Sequence, residues 1–179
     1  MTKVIFNEQH GFKGFSGKSI LRAFPKGIIG KIMADGFSLG EAIDIAVESG
    51  LCAHEDTVEN LVVTVGKRRV GDLLIGVSTL GLTHHEIGTG TTTPALADTA
   101  LTTARERKVI TEKVRSGNTI TLSTFYLASE CTYNLKEAGV FCSTSLTEGA
   151  GTMFCHYLQN YDNSGGLYDL TFEYSLEVE

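Results

Sequence analysis

Residues 170–179 read Leu-Thr-Phe-Glu-Tyr-Ser-Leu-Glu-Val-Glu, a strict alternation of apolar and polar side chains. Because successive side chains of a β-strand point to opposite faces, this period of two predicts a strand with its apolar set buried and its polar set in water. The run 118–128 shows the same pattern, with Ile120, Leu122 and Tyr126 between threonines and serines. Strands of this kind, separated by short turns, predict a mainly β protein with an antiparallel β-sandwich-like domain.

Further strands are expected elsewhere in the chain. Residues 83–88 and 105–115 have strand composition, and Ser116-Gly117 is a plausible tight turn before 118–128. Residues 136–144 and 151–159 predict a hairpin. If Glu148-Gly149 forms its turn, Cys142 faces Cys155 at a distance that permits a disulfide. Two reduced thiols are the alternative, and they are the expected state in a reducing cytoplasm.

One or two short helices should accompany the strands. Ser38 followed by Glu41 forms a capping box, and an apolar stripe at helical spacing runs from Leu39 to Val47. Residues 67–75 predict a second short helix. The β-branched run 61–65 fits either a helix or a strand, because short apolar runs do not define the period.

The pattern divides the chain into three segments. Residues 1–36 form an extended arm rich in Gly, Phe and Lys, residues 37–59 a short helix and linker, and residues 60–179 the β-rich domain. The six glycines of this segment predict an irregular backbone. Its candidate anchors for assembly on another protein are Phe6, Phe12, Phe15 and Phe24. The arm could equally fold back on its own domain.

Composition indicates a globular chain with uneven charge. Of the 179 residues 42% are hydrophobic, and the net charge is −6. Residues 1–34 carry six lysines and arginines against one glutamate, so the remainder carries −11. A basic segment could contact an acidic neighbour, although nucleic acid is not an expected partner. Residues 1–8 do not resemble a secretory signal, and no apolar run of about 18 residues predicts a membrane span.

No motif in the sequence predicts catalysis, a metal or a cofactor. The four cysteines lack Cys-x-x-Cys spacing, and His84-His85-Glu86 is not the metalloprotease motif. Gly17-Lys18-Ser19 lacks the glycine spacing of a P-loop. A small cysteine hydrolase is the enzymatic alternative, since cysteine and histidine could meet in the fold. The expectation is a non-enzyme without a small-molecule substrate.

Two elements carry a resemblance to a known group of proteins. In residues 83–101 a strand ends in Gly88-Thr89-Gly90, and a loop rich in Thr, Pro and Ala continues through Pro94 to Asp98. Downstream, residues 136–141 contain Glu137, Gly139 and Phe141. The order and spacing of these elements, over roughly residues 60–178, resemble a segment recurrent in structural proteins of bacteriophage particles.

The resemblance implies a β-sandwich-like module in a tail, collar, neck or fibre assembly. It further implies a non-enzymatic virion component, assembled in the host cytoplasm, with other virion proteins as partners and copies of itself in a homo-oligomer. A fibre or spike module that binds the host surface is the alternative. The motif residues themselves suit structural roles: Gly88 and Gly90 for a sharp strand exit, Asp98 for a turn, and Glu137 for a backbone N–H at a bulge.

Overall fold

Two five-stranded antiparallel sheets pack face to face in the computed structural model, which describes residues 15–178. The predicted mainly β, sandwich-like fold is confirmed. The strands are β1 Phe15–Pro25, β2 His54–Glu59, β3 Leu61–Val62, β4 His84–Gly88, β5 Ala104–Val109, β6 Glu112–Ser116, β7 Thr119–Tyr126, β8 Asn134–Cys142, β9 Thr152–Asp162 and β10 Tyr168–Val178. The helices are α1 Ile28–Ala34, α2 Leu39–Glu48 and α3 Thr64–Leu74.

The order of strands is β2-β1-β10-β7-β6 in the first sheet and β3-β9-β8-β4-β5 in the second. Their inner faces share one hydrophobic core, which includes Leu21, Leu122, Val140, Tyr157 and Phe172. The chain changes sheet between edge strands at residue 60, from β2 to β3, and at residues 110–111, from β5 to β6; it also changes sheet from β7 to β8 and from β9 to β10. The chain therefore crosses between the sheets at both lateral edges of the sandwich.

The alternation that predicted β10 is confirmed on its apolar side and has one exception on its polar side. Leu170, Phe172, Tyr174 and Leu176 all lie in the core, and Glu177 is exposed. Thr171, expected in water, is fully buried. The reason is that α1 and α2 form a second apolar cluster outside the first sheet, and the strand partner of Thr171, Phe125, packs against that cluster.

The prediction of an irregular arm over residues 1–36 is wrong for the described part, residues 15–36. β1 is a central strand, paired with β10 on one side and β2 on the other, and α1 follows it. Phe24 is fully buried, and Phe15 packs against the core, so these two predicted anchors belong to the fold. Phe6 and Phe12 lie outside the described residues.

The segment predicted as helix and linker, 37–59, contains more order than expected. The capping box at the start of α2 is confirmed, because the Ser38 side chain accepts from the Glu41 N–H and Glu41 accepts from the Ser38 N–H. Residues 54–59, however, form the edge strand β2. The ambiguous run 61–65 divides between the two-residue strand β3 and the start of α3.

The predicted hairpin is present as β8 and β9, but its predicted register is wrong. Cys142 lies opposite Thr152, and Cys155 lies opposite Val140. The pairing shifts between Leu135 and Glu137 and again between Val140 and Phe141. Such bulges place an extra residue in one strand and change which side chains oppose each other. The disulfide is therefore not formed, and both cysteines are free.

Candidate functional site

The residues that carry the resemblance converge on one long loop, residues 89–103, between β4 and β5. Leu101 of this loop packs with Val63, Phe141 and Met153 in a small apolar cluster that is separate from the core between the sheets. The loop therefore lies on the outer face of the second sheet. It contains no helix or strand, so contacts from side chains must hold its backbone in place.

Glu137 on β8 supplies most of those contacts. Its carboxylate is fully buried and accepts backbone N–H groups from both ends of the loop. The N–H of Gly90 lies 2.9 Å from Oε1, that of Thr103 2.7 Å from Oε1, and that of Thr102 3.0 Å from Oε2. The expectation that Glu137 binds a backbone N–H near a bulge is confirmed, with three N–H groups rather than one.

His156 on β9 joins Glu137 to the middle of the loop. Its Nε2 lies 3.2 Å from Glu137 Oε2, and its Nδ1 lies 2.7 Å from Asp98 Oδ2. Asp98 also accepts the N–H of Ala95 at 2.8 Å, which confirms its predicted role in a local turn. Because a neutral imidazole has one N–H, only the imidazolium can donate to both carboxylates at once.

These contacts make Asp98 a source of acid sensitivity. Burial acts to raise the pKa of Asp98, but the hydrogen bonds from Ala95 and His156 outweigh it and lower that pKa below its ordinary 3.8. A lowered folded-state pKa adds stability above the unfolded value, and this stability is lost as the pH falls through the folded pKa. We expect Asp98→Asn to lower the free energy of unfolding at pH 7 by on the order of 1 kcal/mol.

The same reasoning predicts that this difference between wild type and Asp98→Asn shrinks as the pH falls below about 4. Urea unfolding of both proteins at a series of pH values measures it. A difference that stays constant down to pH 2 would show that the Asp98 charge does not stabilise the loop.

Three glycines in the motif permit close approaches of the backbone. A Cβ on Gly90 would lie 2.3 Å from Glu137 Oε1, and one on Gly88 would lie 2.6 Å from the Thr103 carbonyl oxygen. A Cβ on Gly139 would lie 2.7 Å from the Cys155 carbonyl oxygen. None of these three has a positive φ. The space beside each Cα, rather than a sharp turn as predicted for Gly88 and Gly90, therefore explains the glycines.

Gly139→Ala is expected to destabilise the protein by about 1–3 kcal/mol, because the new methyl group meets a backbone carbonyl that cannot move without distorting β9. Gly71→Ala on α3 is the matched control, since nothing lies within 4 Å of its Cβ position. It should stabilise the helix by about 0.5–1 kcal/mol. Thermal unfolding measures both, and equal effects of the two substitutions would contradict the close approach.

The remaining motif residues, Thr89, Phe141 and Pro94, differ in the contacts they make. Thr89 donates its N–H to the Thr103 carbonyl at 2.9 Å, and its hydroxyl accepts from Arg105 Nε at 3.1 Å. Phe141 is fully buried, and the Arg107 guanidinium lies 4.5 Å from its ring centre. Pro94 is half-buried within the otherwise exposed stretch 91–97.

A second buried site, which the sequence reasoning missed, adjoins Phe141. Arg107 Nη1 on β5 lies 2.7 Å from Glu86 Oε2 on β4, and both side chains are fully buried. Arg107 also donates to the carbonyls of Thr147 and Ala150 at 3.2 and 2.7 Å, and Glu86 accepts the Gly149 N–H. Burial raises the pKa of Glu86, against the opposing effect of the Gly149 and Arg107 hydrogen bonds. The pair therefore fastens the β8–β9 loop.

A third polar group, centred on His85, lies between the sheets. Tyr126 Oη donates to the His85 carbonyl, so the contact of 3.0 Å between Tyr126 Oη and His85 Nδ1 requires an N–H on Nδ1. His85 Nε2 then accepts from Tyr157 Oη at 2.7 Å, and Ser19 donates to Tyr157 at 2.9 Å. Burial lowers the pKa of His85 to about 3, which keeps this ring neutral. This series of hydrogen bonds connects four strands, two from each sheet.

An apolar cavity lies between α3 and strands of both sheets. Its volume is about 400 Å³, and Val70, Leu82, Leu122, Cys142 and Leu176 are among its lining residues. Two cations on its lining, Arg69 and Lys113, donate to the carbonyls of Leu80 and Leu82. The cavity is thus apolar, with its positive groups already hydrogen-bonded.

Comparison with known proteins identified no relative of this chain. The chain matches no family model, no curated protein and no solved structure. Among residues 15–178, no group of three or more His, Cys, Asp and Glu side chains is arranged to hold a metal ion. In the same residues, no helix combines the length and the hydrophobicity needed to cross a bilayer.

Proposed function

We propose that the protein is a non-enzymatic structural component of a bacteriophage particle, in a collar, neck, tail or fibre assembly. The observation that carries the proposal is that the resembling elements converge on one loop, residues 89–103. Gly88, Gly90 and Asp98 shape or hold the 89–103 loop from within or beside it, and Glu137 holds it from β8, more than thirty residues along the chain. A motif whose members all maintain one backbone conformation suits a protein whose task is to present a surface.

The state of the reactive side chains supports a role without catalysis. Burial raises the pKa of Cys131 and of Cys155 to about 12, and it raises that of Cys142 as well. A catalytic cysteine acts as its thiolate, which is scarce at neutral pH in such an environment. Both ring nitrogens of His156 and of His85 are occupied by neighbouring side chains. These observations weigh against the cysteine hydrolase alternative.

The presented surface is the stretch 91–97, a run of threonines followed by Pro-Ala-Leu-Ala. Six of its seven residues are exposed. It is held at its ends by Glu137 and His156 and in between by the Thr64 N–H, which donates to the Leu96 carbonyl at 2.8 Å. A segment fixed before binding loses little conformational entropy when a partner docks, so it suits contacts with other virion proteins.

The proposed anchoring role now falls on residues 1–14, with Phe6 and Phe12, because β1 and α1 are integral to the fold. Deletion of residues 2–14 should reduce incorporation into particles, and the melting temperature of the truncated protein is measured beside it as a check on folding. Full incorporation of the truncated protein would contradict the anchoring role.

The virion role itself is tested on purified particles of the virus that encodes the chain. Quantitative mass spectrometry of gradient-purified, nuclease-treated particles should find the chain at a constant ratio to the other virion proteins. Its absence from particles that contain those proteins, with abundant protein left in the lysate, would overturn the proposal.

A host-surface-binding module is the second candidate, favoured by the same exposed loop. If the loop recognises the host, replacing Thr91, Thr92 and Thr93 with alanine should abolish binding of purified protein to host cells. The matched control replaces the exposed threonines Thr57, Thr79 and Thr132. Equal cell binding by both triple variants would exclude the loop as the recognition surface.

A further inference from the structure

The cavity between α3 and the two sheets combines an apolar lining with positive charge. Its volume is about 400 Å³, and its lining is aliphatic or aromatic apart from Arg69, Gly81, Lys113 and Cys142. Among residues 15–178, no aspartate or glutamate lines it. A cavity of this composition favours a ligand that is apolar over most of its length and negatively charged at one end.

The charges of Arg69 and Lys113 have no carboxylate to offset them. Arg69 Nε donates to the Leu80 carbonyl and Lys113 Nζ to the Leu82 carbonyl, which leaves further N–H groups on both side chains. Within the described part of the chain, neither cation forms an ion pair. Burial raises the pKa of the Cys142 thiol, and both cations act against this rise, so both lie near its sulfur.

Three acidic residues adjoin the lining in sequence, and none of them offsets the two cations. Glu112 accepts the Gly40 N–H of α2 at 2.6 Å, so its carboxylate faces the outer side of the first sheet. Glu177 is exposed and follows the cavity-lining Leu176 on β10, where successive side chains face opposite ways. Asp72 lies on α3 but does not line the cavity.

Other charges at this end of the molecule do not reverse the sign. Lys18 lies opposite Glu59 in the pairing of β1 with β2, so these two exposed side chains together add no net charge. Lys67 and Arg68 are exposed on α3 and add positive charge. The potential at the cavity therefore favours an anion.

We propose that this cavity binds a fatty acid, with the alkyl chain against the apolar lining and the carboxylate on Arg69 and Lys113. Its volume falls within the range of about 300–1,000 Å³ that is typical of small-molecule sites. The carboxylate can accept the N–H groups that the two carbonyls leave free, and charge-assisted hydrogen bonds of this kind are strong. The lining is open to solvent, because Val70 and Leu82 are only half-buried and Lys113 is exposed. This proposal goes beyond the virion role and does not depend on it.

Isothermal titration calorimetry of the full-length protein with sodium decanoate, below its micelle concentration, tests the proposal. We expect saturable binding of one decanoate per chain. The Kd should fall about fourfold for each methylene added between octanoate and decanoate, because each one leaves water for the apolar lining. Decyltrimethylammonium has the same chain with a cationic head and should bind more weakly than decanoate.

Charge reversal at the cavity separates recognition of the carboxylate from a structural role of the cation. Lys113→Glu should weaken decanoate binding on the order of tenfold or more and strengthen binding of decyltrimethylammonium. A structural defect alone would weaken both. Lys26→Glu makes the same change of charge at an exposed position at the other end of β1, and it should leave both affinities unchanged.

A further variant and a chemical label locate the ligand. Val70→Trp should fill the cavity and abolish decanoate binding, with the melting temperature as a check on folding. Decanoate should also protect the cavity-lining Cys142 from alkylation, measured by peptide mass spectrometry, and leave Cys52 unprotected beside the α1–α2 cluster. If Val70→Trp does not fold, the charge reversal decides alone.

Two results would overturn the proposal. The first is the absence of saturable decanoate binding to the full-length protein, which would leave the cavity to a polypeptide occupant. The second is equal binding of decanoate and decyltrimethylammonium in wild type and in Lys113→Glu, which would mean that the cations do not recognise the head group.

Discussion

Glu137→Ala should lower the free energy of unfolding by about 3–6 kcal/mol, one of the two largest effects expected for a single substitution in this protein. The carboxylate is fully buried and accepts three backbone N–H groups and the His156 ring. Each buried donor left without an acceptor costs about 1–3 kcal/mol, and water entering the vacated space offsets part of that sum. Since small domains are stable by about 5–15 kcal/mol, the loss approaches global unfolding.

Urea denaturation measures this effect, with two matched variants. Glu137→Gln retains one carbonyl oxygen as an acceptor for the loop and should lose less stability than the alanine variant. Glu177→Ala removes an exposed carboxylate from the neighbouring sheet and should change stability by less than about 0.5 kcal/mol. Hydrogen exchange should show the amides of Gly90, Thr102 and Thr103 losing protection. An alanine variant as stable as Glu177→Ala would refute the role assigned to Glu137.

The sequence predicted those elements whose signal is local. β10 and α2 depend on alternation and on a capping box, and both kinds of pattern lie within about ten residues. β1 was missed because the six glycines of residues 1–36, of which β1 contains Gly17, indicated an irregular chain. Gly17 in fact lies where a Cβ would meet the Asn60 side chain within 3 Å, a constraint that only the paired structure reveals. A glycine in a strand can mark close approach as well as a break.

The sequence predicted several residues of the candidate site but not the hydrogen bonds that connect them. Glu137 and Asp98 were expected to bind backbone groups, but Glu137 reaches residues more than thirty positions away, and His156 gave no local signal. Arg107 was missed because it lies in Arg105-Glu106-Arg107-Lys108, a run of four charged residues with no local signal that one of them is buried. Arg105 is exposed and Arg107 fully buried although residues two apart on a strand share a face, because the β8–β9 loop covers Arg107 and offers it the Thr147 and Ala150 carbonyls.

The burial of Arg107 leads to the second large effect. Arg107→Leu should lower the free energy of unfolding by about 3–5 kcal/mol, because it leaves the Glu86 carboxylate buried without its cation. The Thr147 and Ala150 carbonyls lose their donors in the same step, so the β8–β9 loop should loosen. Urea denaturation gives the loss in stability, and hydrogen exchange over residues 143–151 reports the loop. Arg105→Leu, at an exposed position two residues earlier on the same strand, is the matched control and should cost less than about 1 kcal/mol.

The double variant Arg107→Leu/Glu86→Leu separates the ion pair from the loop contacts. Replacing a buried ion pair with apolar residues of similar size often leaves the free energy of unfolding unchanged, whereas removing one partner leaves a buried charge unpaired. The double variant should therefore recover much of the stability lost in Arg107→Leu. Its loop should remain poorly protected, because neither leucine can donate to the two carbonyls or accept the Gly149 N–H. Additive losses in the double variant would mean that the pair stabilises the fold beyond avoiding an unpaired charge, and a fully protected loop would mean that other contacts hold residues 143–151.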